Sequence, residues 1–165
     1  MNQEAYRLYS LLKSLTECCH DREEKLARNY GLSVPESRCL AAIELEGCKT
    51  TTEIAEKLGL AKSRITRIVD SMVAKGLILR NEAAYDRRVL LVEFTPKGKT
   101  LAVEFVGTLI SLHHLVIDKF PEHSRKAAVE QLVELKNAMQ EVRDSMDDMK
   151  PANDVSGNGT NIPVV

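Results

Sequence analysis

The stretch from Thr50 to Leu91 constrains the fold more than any other part of this 165-residue chain. On either side of Gly59, apolar residues recur at helical spacing: Ile54, Ala55, Leu58, Ile65, Ile68, Val69 and Met72. Two short amphipathic helices joined by a tight turn with glycine form a helix-turn-helix. Two strand candidates follow, Leu77–Leu79 and Arg88–Phe94, around a polar loop at Asn81–Asp86. This order predicts a mainly α fold of the α+β winged-helix type.

Helices are also predicted before this stretch. Apolar residues at three- and four-residue steps predict a first helix over about Glu4–Asn29. The next helix is expected to have Ser33 or Val34 as its N-cap, with a proline in its first turn. The helix after that is capped by the threonines at 50–52, and Glu53 is close enough for a capping box.

Two longer helices are predicted after the hairpin. Thr95 is the expected N-cap of a helix that runs to about Lys119, and the last helix covers about Glu122–Met149. The terminal helices carry more apolar residues than one small core needs, which predicts a helical dimer interface. A two-fold dimer would place two recognition helices roughly 34–36 Å apart and bind a pseudo-palindromic site.

The predicted organisation is one domain at residues 1–149. Within it the winged-helix module covers about 33–95, and the dimerisation helices cover 4–30 and 96–149. The tail at 150–165 is rich in Asn and Gly and has too little apolar content to fold, so we expect it to be disordered.

The charge distribution favours a polyanionic partner for the winged helix. Between Lys49 and Lys99 there are eleven Lys or Arg against six Asp or Glu, a net charge of +5. The remainder carries twelve basic and eighteen acidic residues, a net charge of −6. A basic module in an acidic frame focuses a phosphate-binding field on one surface, although a solvated charged face would show the same counts.

Other classes of protein are disfavoured by what the sequence lacks. No nucleophile–base motif, Gly-rich phosphate loop or pair of catalytic carboxylates is present, so we expect neither an enzyme nor a cofactor. No apolar run approaches the roughly 20 residues that span a bilayer, and the opening MNQEAYRLYS does not resemble a signal peptide. These observations predict a soluble, cytoplasmic protein without membrane contact.

Six segments together carry a family resemblance. They are GLSVP from Gly31, TEIAEKLGL from Thr52, SRITRIVD from Ser63, KGLI from Lys75, DRR from Asp86 and LVEFTPKG from Leu91. In this order and spacing the chain resembles the MarR family of transcriptional regulators over about Leu8–Met146. The resemblance implies a homodimeric winged-helix regulator, in most cases a repressor. Its operator affinity would fall when a small-molecule effector binds or when cysteine is oxidised.

The second helix of the pair, about Lys62–Ala74, is then expected to enter the major groove of double-stranded DNA. Its N-terminal turns carry the side chains that can reach phosphates and base edges: Lys62, Ser63, Arg64, Thr66 and Arg67. Arg64 is the expected base-reading residue, because the family varies that position and a guanidinium can pair bidentately with guanine. Arg67 matches a position where the family usually keeps Arg, which implies backbone contact or internal bracing.

The segment from Asp86 to Arg88 lies where the family carries an Asp-x-Arg signature in its wing. The resemblance implies that Asp86 holds Arg88 by an ion pair, that Arg88 enters the minor groove, and that Arg87 contacts phosphate. Two departures stand out. Ala61 replaces the capping residue that many relatives have before the recognition helix, and Glu82 adds a negative charge to the wing.

The signal that such a regulator would sense is less defined. Family geometry implies an effector pocket near Tyr9, Leu12, Thr16, Cys19, Arg38, Leu109 and His113. Redox sensing is an alternative, with Cys18, Cys19, Cys39 and Cys48 available, and zinc sensing through His20, Glu24, His113 and His114 is another. A helical protein-interaction module that has lost DNA binding is the last alternative. The arginines at 64, 67, 87 and 88 speak against it.

Overall fold

The structure is a computed structural model that describes residues 2–47 and 49–146, but not the side chains of Leu45, Glu46 and Arg87. The chain divides into two compact units, Met1–His114 and Leu115–Val165. The elements are α1 (Gln3–Asn29), α2 (Val34–Glu46), α3 (Thr51–Leu58), α4 (Lys62–Ala74), β1 (Ile78–Ala83), β2 (Asp86–Phe94), α5 (Pro96–Ile117) and α6 (Glu122–Met146). The predicted mainly α winged helix is confirmed. Cys48, the last residues of the helix predicted to reach Met149, and the tail at 150–165 lie outside the described residues, and the single domain at 1–149 stays a prediction.

Side-chain caps define where the short helices begin. Ser33 caps α2 and forms a reciprocal capping box with Glu36, and Thr50 forms the predicted capping box with Glu53 at the start of α3. Gly59 ends α3 in the left-handed conformation at φ 61°, which an L side chain rarely adopts. This turn leaves only three residues between the end of α3 and the start of α4.

The core of the first unit lies behind the helix-turn-helix. The apolar face of α4, predicted from its spacing, is buried, and its members are Ile65, Ile68, Val69 and Met72. They pack in one cluster with residues of every other element of this unit, among them Leu26, Leu40, Ile54, Ile78, Val92 and Phe105. The ring of Tyr30 meets that of Phe105 edge to face at 5.4 Å. The recognition helix is therefore held from behind by apolar packing.

The wing is longer and its turn is tighter than the sequence predicted. β1 and β2 pair antiparallel from Ile78 opposite Phe94 to Glu82 opposite Leu90, and only Ala84 and Tyr85 form the turn. The predicted loop at Asn81–Asp86 is therefore wrong. Polar side chains can line a hairpin whose outer positions face solvent, so polarity alone did not mark the end of the strand.

Helix α5 corrects the expectation that no segment is apolar enough to span a membrane. Its 22 residues include an 18-residue window of mean hydropathy 1.6, which by length and composition would suffice to cross a bilayer. Scattered polar residues such as Glu104 and Thr108 interrupt the apolar residues of this helix without lowering its mean hydropathy below that of a spanning segment. The helix buries Ala102, Phe105 and Val106 in the core of the first unit, although most of its apolar window is exposed.

Apolar side chains remain exposed on the terminal helices. In the first unit, α1 exposes Tyr6, Leu8, Tyr9, Leu11 and Leu15. In the second unit none of the 25 residues of α6 is buried, and its exposed apolar residues are Val129, Leu132, Val133, Met139, Val142 and Met146. These faces are the ones that the sequence assigned to dimerisation.

Candidate nucleic-acid interface

The N-terminal turns of α4 present a cluster of exposed cations. Lys62, Arg64 and Arg67 are exposed and form no hydrogen bond or ion pair with any described residue through their side chains. Ser63 is exposed beside them, whereas the Thr66 hydroxyl is half-buried and donates to the Lys62 carbonyl at 2.9 Å. Unpaired guanidinium and ammonium groups on a helix with a buried rear face are available to phosphates and base edges.

The start of α4 lacks a side-chain cap. Ala61 is the N-cap residue in extended conformation, at φ −63° and ψ 147°, and its side chain offers no hydrogen-bond acceptor. We expect Ala61→Ser to raise the free energy of unfolding by about 1 kcal/mol, because a serine hydroxyl can accept from a free N–H of the first turn. Urea unfolding followed by circular dichroism measures this change. Thr50→Ala removes the equivalent cap from α3 and should lower stability by a similar amount; equal stabilities for all three proteins would contradict the prediction.

The wing places Asp86 and Arg88 at the start of β2, directly after the two-residue turn. An oxygen of the Asp86 carboxylate accepts a hydrogen bond from the backbone N–H of Arg88 at 2.9 Å. No ion pair joins this carboxylate to the Arg88 guanidinium, both of which the structure describes, so Asp86 braces the backbone rather than the guanidinium. Arg88 is exposed. The side chain of Arg87, expected on phosphate, lies outside the description.

An ion pair links the wing to α4 through residues that sequence reasoning missed. Arg80 of β1 pairs with Asp70 of α4. Both side chains are partly exposed, so the energetic contribution of this pair is small. The two residues are ten positions apart on different kinds of element, and no periodicity connects them.

A polar junction behind α4 was also missed. The Glu36 carboxylate is almost fully buried and accepts hydrogen bonds from the Ser71 hydroxyl of α4 and from the ammonium of Lys75, the C-cap residue of α4, both at 2.7 Å. It also accepts from the backbone N–H of Ser33 at 2.7 Å. Burial raises the pKa of this carboxyl, but the bonds from Lys75, Ser33 and Ser71 outweigh it and lower the pKa from 4.5 to about 2.

The candidate effector residues are only partly brought together. Cys19, Leu109 and His113 line a cleft of about 220 Å³ between α1 and α5, together with Arg22, Glu23, Leu26 and Leu112. Arg38 reaches the rim of this cleft, because its guanidinium donates two hydrogen bonds of 2.6 Å to Glu23. Tyr9, Leu12 and Thr16 lie further towards the start of α1 and do not line it, and the Thr16 hydroxyl donates to the Leu12 carbonyl.

The residues considered for redox or zinc sensing are dispersed. Cys18 and Cys19 are exposed on α1, and Cys39 is buried in the core. An Arg22 nitrogen lies 3.1 Å from Nε2 of His113, and Nδ1 of that ring lies 2.7 Å from the Leu109 carbonyl. Within residues 2–47 and 49–146, no three His, Cys, Asp or Glu side chains are grouped as metal ligands would be.

A helix-turn-helix with unpaired cations, followed by an antiparallel hairpin, is a winged helix, a fold that many nucleic-acid-binding proteins share. Comparison with known proteins shows a likeness to one family. A sequence model of the MarR family matches residues 30–89, from the end of α1 into β2. The HTH-type transcriptional regulator MhqR of Bacillus subtilis is 27% identical over 124 residues, which are 75% of this chain and 76% of that one.

Solved structures share the winged-helix fold. The transcriptional regulator BldR of Sulfolobus solfataricus is 26% identical with a TM-score of 0.63, covering 86% of this chain and 99% of its own. Streptococcus pneumoniae FabT, solved in complex with DNA, has a TM-score of 0.74 over 84% of this chain and 99% of its own. At 20% identity, the likeness to FabT shows the fold. The chain is similar to MarR family transcriptional regulators over the helix-turn-helix and the wing, and it shares their winged-helix fold.

Proposed function

We propose that this protein is a homodimeric, sequence-specific repressor that binds a pseudo-palindromic operator and is released by a small-molecule effector. The observation that carries the proposal is the set of unpaired cations on the exposed N-terminal turns of α4, namely Lys62, Arg64 and Arg67. Most arginines elsewhere in the described part of the chain have carboxylate partners, for example Arg28, Arg38, Arg80, Arg125 and Arg143. Cationic side chains without carboxylate partners, on an exposed helix that fits a DNA groove, favour a ligand that carries phosphates.

The individual roles follow from position. Arg64 is proposed to contact base edges in the major groove, with Lys62, Ser63, Thr66 and Arg67 on the backbone or bracing the helix. The Thr66 hydroxyl donates to a carbonyl within the helix. Thr66 would therefore contact DNA through its methyl group, or through its hydroxyl after the side chain rotates. Arg88 is proposed for the minor groove, and Arg87 for phosphate.

Dimerisation is supported by the exposed apolar faces of α1 and α6. Monomeric proteins rarely leave such long apolar stripes in water, and burial of apolar area drives association. A two-fold dimer would repeat α4 about one turn of DNA away, which matches a pseudo-palindromic operator. We place the protein in the cytoplasm, where that DNA is found.

The cleft lined by Cys19, Leu109 and His113 is the proposed effector site, with Arg38 and Glu23 at its rim. A regulator of the same fold that responds to oxidation is the second candidate. It is supported by Cys18 and Cys19, which are exposed on α1, the helix that forms one side of this cleft. Release of DNA by small molecules, by peroxide or by zinc would separate these possibilities in one binding assay.

The first experiment measures binding of the purified protein to the DNA upstream of its own gene at two salt concentrations, beside Arg88→Ala. We expect the variant to bind about 10- to 100-fold more weakly, since a groove contact is worth about 1–3 kcal/mol. Binding of the wild type should also weaken steeply with salt, because the contacts release counterions from phosphates. Fluorescence anisotropy with labelled duplexes gives both quantities.

Arg28→Ala is the matched control, because Arg28 is an exposed arginine on α1 that pairs with Glu24. It should bind as the wild type does. A folded dimer that fails to bind at low salt, with and without candidate corepressors, would contradict the repressor proposal and favour the interaction module.

A further inference from the structure

The polar junction at Glu36 joins three segments of the first unit. Its carboxylate holds the N-cap of α2 through Ser33, and it holds the second half of α4 through Ser71 and Lys75. The Lys75 ammonium also donates to the Gly31 carbonyl at 2.9 Å, in the turn between α1 and α2. One buried carboxylate therefore ties the recognition helix to the end of α1 and the start of α2.

Ser71 occupies a particular place on α4 relative to the DNA-facing residues. It follows Arg64 by seven positions, which is almost two complete turns of a helix, so the two side chains lie on one stripe. Lys75 continues that stripe one turn further. The same side of α4 that carries Arg64 at its groove end is thus anchored by hydrogen bonds at its other end.

These hydrogen bonds can fix the rotation of α4 about its axis, which the packing of its apolar face cannot. Burial of Ile65, Ile68, Val69 and Met72 is favourable but non-directional, so it tolerates small rotations of the helix about its axis. Hydrogen bonds to a buried carboxylate are directional and charge-assisted. Side chains that recognise a ligand must be held within about 10–20° of the productive orientation, and a rotation of that size moves a guanidinium away from a base edge.

We propose that Glu36 is a positioning residue for operator recognition: through Ser71 and Lys75 it fixes the rotation of α4, and so determines how well Arg64 discriminates operator from other DNA. This inference rests on the proposed DNA-binding function. A positioning role would change the discrimination between operator and other DNA, which a purely structural role would not. Phosphate contacts are tolerant of small rotations and supply non-specific affinity, whereas base contacts supply discrimination.

The test uses the full-length protein and two duplexes of equal length, the DNA upstream of its own gene and a scrambled version. Ser71→Ala removes one hydroxyl from α4 and leaves the capping box of α2 intact. We expect it to lower the ratio of operator to scrambled affinity about tenfold, with unchanged affinity for scrambled DNA and an unchanged salt slope. Ser71→Thr keeps the hydroxyl and should restore the ratio. Glu36→Gln should behave as Ser71→Ala does.

Glu44→Gln is the matched control. Glu44 lies on α2, as Glu36 does, but its carboxylate pairs with Lys99 of α5 and not with a residue of α4. It should leave the ratio within twofold. Urea unfolding of each variant checks that the binding measurements refer to folded protein. If wild type and Ser71→Ala discriminate equally, or if Glu44→Gln loses discrimination as much as Ser71→Ala, the positioning role is overturned. A wild type with no preference for either duplex overturns the proposed function, and with it this inference.

Discussion

Replacing Gly98 with alanine is expected to lower the free energy of unfolding by about 3 kcal/mol, at the upper end of what overpacking costs. Gly98 lies in the first turn of α5, and this turn packs directly against the backbone that follows α4. A Cβ there would overlap the carbonyl oxygen of Leu77 and lie 2.6 Å from its carbonyl carbon. Backbone atoms cannot move aside as the end of a flexible side chain can.

The carbonyl of Leu77 is also held in place by its own bonds. It accepts from the backbone N–H of Thr95 at 3.0 Å and from the Thr95 hydroxyl at 3.2 Å. The same hydroxyl accepts from the N–H of Gly98 at 3.0 Å, as an N-cap does. Relief of the overlap would therefore require these bonds to break or the base of β1 to shift.

Gly107→Ala is the matched control, because Gly107 lies in the same helix and a Cβ there would meet no atom of the described structure within 4 Å. It should stabilise the protein by up to about 1 kcal/mol through helix propensity alone. Urea denaturation of both variants gives the comparison. Equal stabilities for Gly98→Ala and the wild type would show that α5 does not approach Leu77 this closely.

Acid is expected to remove about 3 kcal/mol of stability through Glu36 alone. The folded pKa of about 2 lies below the usual 4.5, so the folded state favours the ionised carboxylate. Each unit of pKa difference between the folded and unfolded states corresponds to about 1.4 kcal/mol of stability. The stabilisation by Glu36 is fully present at neutral pH, is lost as the pH falls from about 4.5 to about 2, and is absent below. The carboxylate is almost fully buried, so solvent screens this contribution little.

Urea unfolding from pH 7 to pH 2.5 measures this loss in the wild type and in Glu36→Gln. The variant should start less stable and decline less with acid, so the two curves should converge near pH 2. Glu53 also has a lowered pKa, because it accepts from the backbone N–H groups of Lys49 and Thr50, and it should leave part of the acid sensitivity in both proteins. Parallel curves over the whole range would contradict the assignment to Glu36.

Local signals in the sequence predicted the helices and their buried faces. Helical spacing identified Ile65, Ile68, Val69 and Met72 as core, and capping residues identified Thr50 and Glu53 at the start of α3. These features depend on residues within one or two turns of each other, which a single sequence displays directly. The exposure of Lys62, Arg64 and Arg67 follows from the same periodicity.

Contacts between distant segments could not be predicted. The bond of Ser71 to Glu36, the pair of Arg80 with Asp70 and the approach of Gly98 to Leu77 each depend on how elements pack. The tight turn at Ala84 and Tyr85 was missed because cross-strand pairing extended β1 through polar residues. The resemblance implied an ion pair between Asp86 and Arg88, but the Asp86 carboxylate accepts from the backbone N–H of Arg88 instead. The sequence does not distinguish between these two hydrogen-bond partners.

Thr50 connects the two halves of the winged helix. Its hydroxyl accepts from the N–H of Glu53 to start α3, while its backbone bridges to Leu91 of β2 and the preceding Lys49 carbonyl accepts from Val92 at 2.8 Å. The hairpin is therefore joined through backbone hydrogen bonds to the first turn of the helix-turn-helix. Under the proposed function, contacts of the hairpin in the minor groove and contacts of the helices in the major groove are not independent. Substitutions in the two parts of an operator half-site should therefore have energetic effects that do not add.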